Sequence, residues 1–410
     1  MAGARTRGAS LASDAVGAHI DRKAMASLAG GHLAVDFASG SVPALIPFMT
    51  DRFHLNYALS ALLLLAATVS SSVVQPVFGL WSDRRGALWL VPGGALLAAV
   101  GVGGAAVSPE YPVVLLLVLA GGLGVAAFHP EGAKFAAYAS GRKRASGMSY
   151  FNSGGNAGYA LGAFATGQLV AWLGLVGGLA AMAPVFATAL ALSRLVPHLS
   201  TLRPDAPADD APVGEDQRDA MTRLGIVIAL RSISWFALLA FVPLWVVSLG
   251  HSKADGSRLL FIMLLAGAAG TLMLGPVADR IGLRRTLVVT QAAITPAVLV
   301  FVYLGGVAGV LALMLVGICV VGTFGVTMVL SQLYLPRHVG VASGLSVGLA
   351  MGIGGIAAVA LGAVADAVDL KTALTIAALP PALGVVYSLR LPAPGMRGGK
   401  PALTLAPGAD

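Results

Sequence analysis

Twelve apolar runs follow one another along this chain, each long enough to cross a bilayer as a helix. They lie at about residues 25–49, 57–80, 87–107, 112–138, 145–170, 173–194, 223–249, 258–278, 286–305, 308–335, 339–365 and 371–391. A span needs only ~20 apolar residues. Of the 410 residues, 57% are hydrophobic and 11% charged, whereas ordinary soluble domains carry about 25% charged residues. A soluble protein of this length could not hide so much apolar surface. The expected fold is all-α and polytopic, with twelve transmembrane helices.

The formal charge of +8 does not point to nucleic acid, because the basic residues sit in short clusters between the apolar runs, as topology signals do. Assigning alternate loops to the cytoplasm gives that face twenty basic residues, among them Arg5, Arg84, Arg142, Lys143, Arg284, Arg285 and Arg390, and leaves the other face only Arg52, Lys253, Arg258 and Lys371. The positive-inside rule then places both termini in the cytoplasm. Arg5, Arg7, Arg22 and Lys23 enclose no apolar core, so residues 1–24 read as a cytoplasmic tail rather than a cleavable signal peptide. The single cysteine, Cys319, lies within an apolar run, so no disulfide framework or metal cluster is expected.

A polar stretch from Pro197 to Thr222, with Asp205, Asp209, Asp210, Glu215 and Asp216, cannot enter lipid. It divides the chain into a tail (1–24), a six-helix bundle (25–194), a cytoplasmic linker (195–222), a second six-helix bundle (223–391) and a second tail (392–410). The halves repeat one another. Gly79, Asp83, Arg84 and Gly86 return 196 residues later as Gly275, Asp279, Arg280 and Gly282, and Ala145-Ser146-Gly147 returns 197 residues later as Ala342-Ser343-Gly344. Internal repeats of this kind are the architecture of secondary transporters, with the solute site at the repeat interface. Glycine in the repeated loop allows helices to approach, and the aspartate suits a helix N-terminus. Gly79, Asp83, Arg84, Gly275, Asp279 and Arg280 are therefore expected to form a conformational latch.

The glycine–aspartate–arginine loop resembles the signature of the major facilitator superfamily. A closer resemblance, to the fosmidomycin-resistance branch, is carried by Gly31-His32-Leu33-Ala34-Val35-Asp36, Phe128-His129-Pro130-Glu131, Gly154-Gly155-Asn156-Ala157-Gly158 and the stretch from Leu335 to Gly344. It covers essentially all twelve spans. It implies two pseudo-symmetric six-helix bundles and a proton-driven exporter of drugs or metabolites in the bacterial inner membrane, monomeric and without a cofactor. One departure stands out: where that branch leads us to expect glutamine followed by glutamate in the tenth span, this chain has Gln332 and then Leu333.

Of 18 acids only Asp36 and Glu131 fall well inside spans, and of 26 bases only Lys134 and Arg231, with His32 and His129 beside them. A charge at mid-bilayer costs about 2.5–3.5 kcal/mol on insertion scales, so such residues face a cavity or a partner. His32 and Asp36, four apart, share one helical face, and carboxylate beside imidazole suits proton binding. Asp36, Glu131, His32 and His129 are the expected proton-coupling groups. Pro130 removes a helix hydrogen bond beside them, and Lys134 is a counter-ion to Glu131 or a gating residue. Arg231 either binds an anionic solute or neutralises a carboxylate. Gln75, Asn156, Tyr159, Trp235 and Gln332 are further candidate solute contacts.

Glycines four apart, at 154, 158 and 162 in the fifth span and at 340, 344, 348 and 352 in the eleventh, mark smooth faces for a neighbouring helix. No serine–histidine–acid order, phosphate-cradling loop or zinc spacing supports an enzyme, and the expected partners are lipid, protons and a small solute. An uptake symporter of the same fold and a non-transporting membrane sensor are the rival readings.

Overall fold

The computed structural model describes residues 20–392 except 73, 86, 142–143 and 203–214, together with 396–397 and 400–401. Helix dominates because apolar runs in lipid must satisfy their backbone internally. In order these are α1 (Arg22–Phe53), α2 (Tyr57–Ser72), α3 (Gln75–Arg85), α4 (Leu90–Val107), α5 (Tyr111–Ala139), α6 (Arg144–Leu173), α7 (Val176–Ala181) and α8 (Ala183–Leu199). Then follow α9 (Arg218–Ser248), α10 (Lys253–Ile281), α11 (Leu283–Tyr303), α12 (Gly306–Val321), α13 (Phe324–Tyr334), α14 (Val339–Ala367), α15 (Leu370–Ala378) and α16 (Pro380–Leu389). A two-residue antiparallel ladder, β1 (Met396–Arg397) with β2 (Lys400–Pro401), lies in the stretch read as a loose tail.

Four of the expected spans are built from two helices each: α2 with α3, α7 with α8, α12 with α13 and α15 with α16. Three of these breaks precede a proline in the first turn of the following helix (Pro76, Pro184, Pro380), where its missing N–H costs nothing and the preceding residue is pushed from helical geometry. Joined, they leave eleven spans long and apolar enough to cross a membrane. The twelfth, α6, is long enough but is diluted by Asn152, Ser153, Asn156 and Gln168. The twelve helical spans expected from the apolar runs are thus all present.

The chain packs as two compact units. One comprises residues 1–45 and 69–208, the other 46–68 and 209–410. In the first, α4 packs on α5 and α8, and α6 on α5 and α7. Asp21 caps α1 by accepting from the Ala24 N–H at 3.0 Å and receives His198 of α8 at 2.8 Å. Burial raises the Asp21 pKa, but the Ala24 N–H and His198 outweigh it and hold the group below the usual carboxylate value.

In the second unit α9 packs on α14 and α16, and α12 on α10 and α11. Leu224, Ile228, Leu287, Leu330 and Tyr334 form part of a buried core. Asp366 at the end of α14 accepts from the Tyr57 and Ala58 N–H groups at 2.6 and 3.0 Å, capping α2. Both helices flanking the expected linker run into it: α8 continues to Leu199, and α9 begins at Arg218. Its end is anchored, because Gln217 N–H donates to Tyr334 O at 2.6 Å and Asp216 accepts from the Arg337 N–H and pairs with His338.

Candidate functional site

α1 presents His32 and Asp36 one turn apart, and the structure brings His129 of α5 to the same carboxylate. His32 Nε2 lies 3.3 Å from Asp36 Oδ2, and His129 Nε2 lies 3.4 Å from Asp36 Oδ1. The two imidazoles meet edge to face at 4.9 Å, and His32 stacks on Phe151 of α6 at 4.1 Å. The other ring nitrogens are committed: His32 Nδ1 is 2.9 Å from Phe151 O, and His129 Nδ1 is 2.8 Å from Val125 O. A carbonyl oxygen only accepts, so both Nδ1 atoms carry hydrogen and donate. A neutral imidazole then turns an acceptor Nε2 toward Asp36. Each contact with Asp36 becomes a hydrogen bond only when a proton lies between the two, on that Nε2 or on the carboxyl oxygen.

A glycine seam places α1 against α6. A methyl group built on Gly154, Gly158 or Gly162 would overlap the carbonyl oxygen of Ala29, Leu33 or Phe37 respectively, so each α6 glycine admits one α1 carbonyl. Gly155, beside the seam, leaves room for the cluster: a methyl there would overlap His32 Nε2 and come within 2.7 Å of Asp36 Oδ2. In the eleventh span the outcome differs, since a methyl built on Gly344, Gly348 or Gly352 meets no described residue within 4 Å. The side chain of Tyr159 is half-buried and interacts electrostatically with Asp36.

Glu131 does not join this cluster. It is 1% exposed and pairs with Lys134 at 2.8 Å, so Lys134 serves as its counter-ion. Pro130 leaves α5 continuous. The second unit holds the other intramembrane charge. Arg231 is 2% exposed, donates through Nη1 to Thr323 Oγ1 and lies 5.0 Å over the Phe324 ring. Thr323 occupies the break between α12 and α13, and its hydroxyl lies 2.6 Å from Cys319 O. No acid lies within ion-pair distance of Arg231 among the described residues, and its Nη2 has no hydrogen-bond partner.

Of the other expected solute contacts, Gln75 opens α3, Asn156 lies on α6 and Gln332 on α13, all three half-buried, while Trp235 is buried in α9 one turn from Arg231. In the expected latch, the side chains of Asp83 and Arg84 lie outside the described residues. Asp279 and Arg280 are exposed. Among the described residues, a methyl built on Gly79 meets only Pro130 Cβ of α5, at 3.8 Å, and one built on Gly275 meets nothing within 4 Å, so neither latch glycine shows the expected close helix approach. Gly282, which ends the second copy, has φ +93°, a conformation that glycine adopts readily. Thr323 and the carbonyls of Phe151 and Val125 are absent from the sequence-derived site. The carbonyls carry no residue-type signal, and Thr323 is one threonine among many apolar neighbours.

The sequence profile of the Major Facilitator Superfamily matches residues 28–359. Two bacterial relatives align along nearly the whole chain. An uncharacterised MFS-type transporter, YfnC of Bacillus subtilis, is 32% identical, covering 87% of this chain and 90% of its own. The fosmidomycin resistance protein of Escherichia coli is 28% identical, covering 87% and 89%. Among solved structures, a bacterial homologue of the human lysosomal transporter Spinster, in an inward-facing and occupied conformation, superposes with a TM-score of 0.73. It is 13% identical, over 90% of this chain and 96% of that one. The resemblance drawn from the histidine-, proline- and glycine-bearing stretches therefore stands, and the chain belongs to the Major Facilitator Superfamily: it is a multi-pass membrane transporter and not an enzyme.

Proposed function

We propose that this transporter is a proton-coupled antiporter exporting a small polar or anionic solute, of the fosmidomycin type, by alternating access. The observation that carries the reading is Arg231: a guanidinium sealed in the protein with no acid partner among the described residues and one nitrogen without a hydrogen bond. A buried cation without a counter-ion is costly, and an anionic solute supplies the missing charge. The resemblance to the Escherichia coli fosmidomycin resistance protein adds a phosphonate-like cargo, and the inner membrane, with both termini cytoplasmic, is the compartment that fits. The protein acts as a monomer.

Proton coupling rests on Asp36 and Glu131. A proton arriving from the periplasmic side converts a repulsive His32–Asp36 or His129–Asp36 contact into a hydrogen bond, or loosens the Glu131–Lys134 pair. Either change shifts the equilibrium between two conformations. Solute and proton then compete to set the charge balance, which is antiport.

The test is solute-dependent proton flux in proteoliposomes, with fosmidomycin and a panel of small anions, comparing wild type with Asp36→Asn, Glu131→Gln and Arg231→Ala. Protons moving opposite to the solute, with flux lost in the acid variants, support the proposal. Protons moving with the solute make the protein an importer, and undiminished flux in Asp36→Asn and Glu131→Gln combined removes the coupling scheme.

A further inference from the structure

We infer that His32, Asp36 and His129 form a binding site for a divalent transition-metal ion of the zinc type. Their three ligand atoms lie within 4.8 Å of one another. For metal–ligand bonds of ~2.0–2.1 Å, neighbouring ligands around a tetrahedral ion are separated by about 3.3–3.4 Å. His32 Nε2 stands 3.3 Å from Asp36 Oδ2 and His129 Nε2 stands 3.4 Å from Asp36 Oδ1, so each imidazole is at that spacing from its own oxygen of the shared carboxylate. The ligand set, two imidazole nitrogens and one carboxylate, suits zinc and its borderline neighbours rather than calcium or magnesium, which take oxygen donors. Three protein ligands leave further coordination positions for water.

The surroundings carry the inference further than ligand spacing alone. A metal-ligating imidazole characteristically donates its second N–H to a carbonyl or carboxylate, which fixes the tautomer and aims the free nitrogen at the ion. Both histidines do so, at 2.9 Å to Phe151 O and 2.8 Å to Val125 O. Both Nε2 lone pairs are thereby presented to one carboxylate, and three acceptors face one another with no donor of their own when the rings are neutral. A divalent cation satisfies all three at once, whereas a single proton bridges one contact only. Phe151 stacks on one ring and Gly155 covers the cluster without crowding it. The His129 and Asp36 side chains are 24% and 19% exposed, so an ion from solution can reach them.

Full-length protein, purified in detergent with any histidine tag removed, is titrated with Co²⁺ while the visible ligand-field bands are followed, and Zn²⁺ binding is measured by equilibrium dialysis. The expected result is one ion per chain. Affinity should fall more than ~tenfold in each of His32→Gln, His129→Gln and Asp36→Asn, and should be unchanged when the surface pairs are altered together as His198→Gln and His338→Gln. Three separate variants, each checked for monodispersity and thermal unfolding, keep a folding defect in one from deciding the matter. Absence of binding in wild type overturns the inference, as does binding that survives all three variants or disappears with the surface histidines. No solute or proton gradient enters this assay. Metal binding without proton-coupled transport would sink only the antiport proposal, and the converse only the metal site.

Discussion

Arg231 separates function from stability in opposite directions. Its Nη1 is engaged with Thr323, which leaves Nη2 for an anion. One hydrogen bond to a charged partner contributes about 1.5–3 kcal/mol, so Arg231→Met should weaken solute affinity about 10- to 150-fold. The same substitution removes a buried cation with no acid at ion-pair distance among the described residues, and replacing even a paired buried charge by apolar residues of similar volume is often neutral or stabilising by ~1–4 kcal/mol. The loss of the contact over Phe324 offsets that by about 0.5–2 kcal/mol. Thr323 is not orphaned, because its hydroxyl keeps the Cys319 carbonyl. The variant should therefore unfold at the same or a higher temperature in detergent while its half-saturating fosmidomycin concentration in proteoliposomes rises. Arg231→Lys, with one charged head for both Thr323 and the solute, should fall between. A variant that loses thermal stability and affinity together would refute the reasoning, since Arg231 would then be a structural strut.

Gly158→Ala should cost about 1–3 kcal/mol, because the added methyl overlaps the Leu33 carbonyl and neither backbone can yield alone. Gly344→Ala, whose added methyl meets no described residue within 4 Å, should be neutral or stabilise α14 by up to ~1 kcal/mol; thermal unfolding of the two side by side checks the contrast. Burial raises the Asp216 pKa, but the Arg337 N–H and His338 outweigh it, so the folded value is depressed. A depressed carboxylate contributes above its unfolded pKa of ~3.9 and loses that contribution as pH falls through the folded value. The protection factor of the Arg337 amide, its exchange rate corrected for the pH dependence of intrinsic exchange, should therefore fall below about pH 4 in wild type. It should stay flat over the same range in Asp216→Asn.

The spans are legible in the sequence because lipid demands length and apolarity and little else. Where helices break inside a span is legible only in part. Pro76, Pro184 and Pro380 mark three breaks, whereas the one at Gly322 and Thr323 has no comparable sign. Within the site, His32 and Asp36 can be paired from their spacing, because both sit on one helix. His129 cannot: it reaches Asp36 from another helix, and no spacing rule links residues 93 positions apart. The glycine repeats show the same limit. Four-residue spacing marks a smooth face in both α6 and α14, but whether a backbone lies against it depends on tertiary packing.

The α1–α6 seam has a mechanical consequence. Three α1 carbonyls, four residues apart, engage three α6 glycines at the same spacing, like teeth in a rack. A slip of less than one turn, ~5.4 Å, drives those carbonyls into side-chain carbons, so the pair can ratchet by whole turns or not slide at all. His32 and Asp36 ride on the toothed stretch of α1, and Phe151 is carried by α6. When the protein changes shape these three travel as one casting, and the geometry around Asp36 is left to vary through α5, the helix that brings His129.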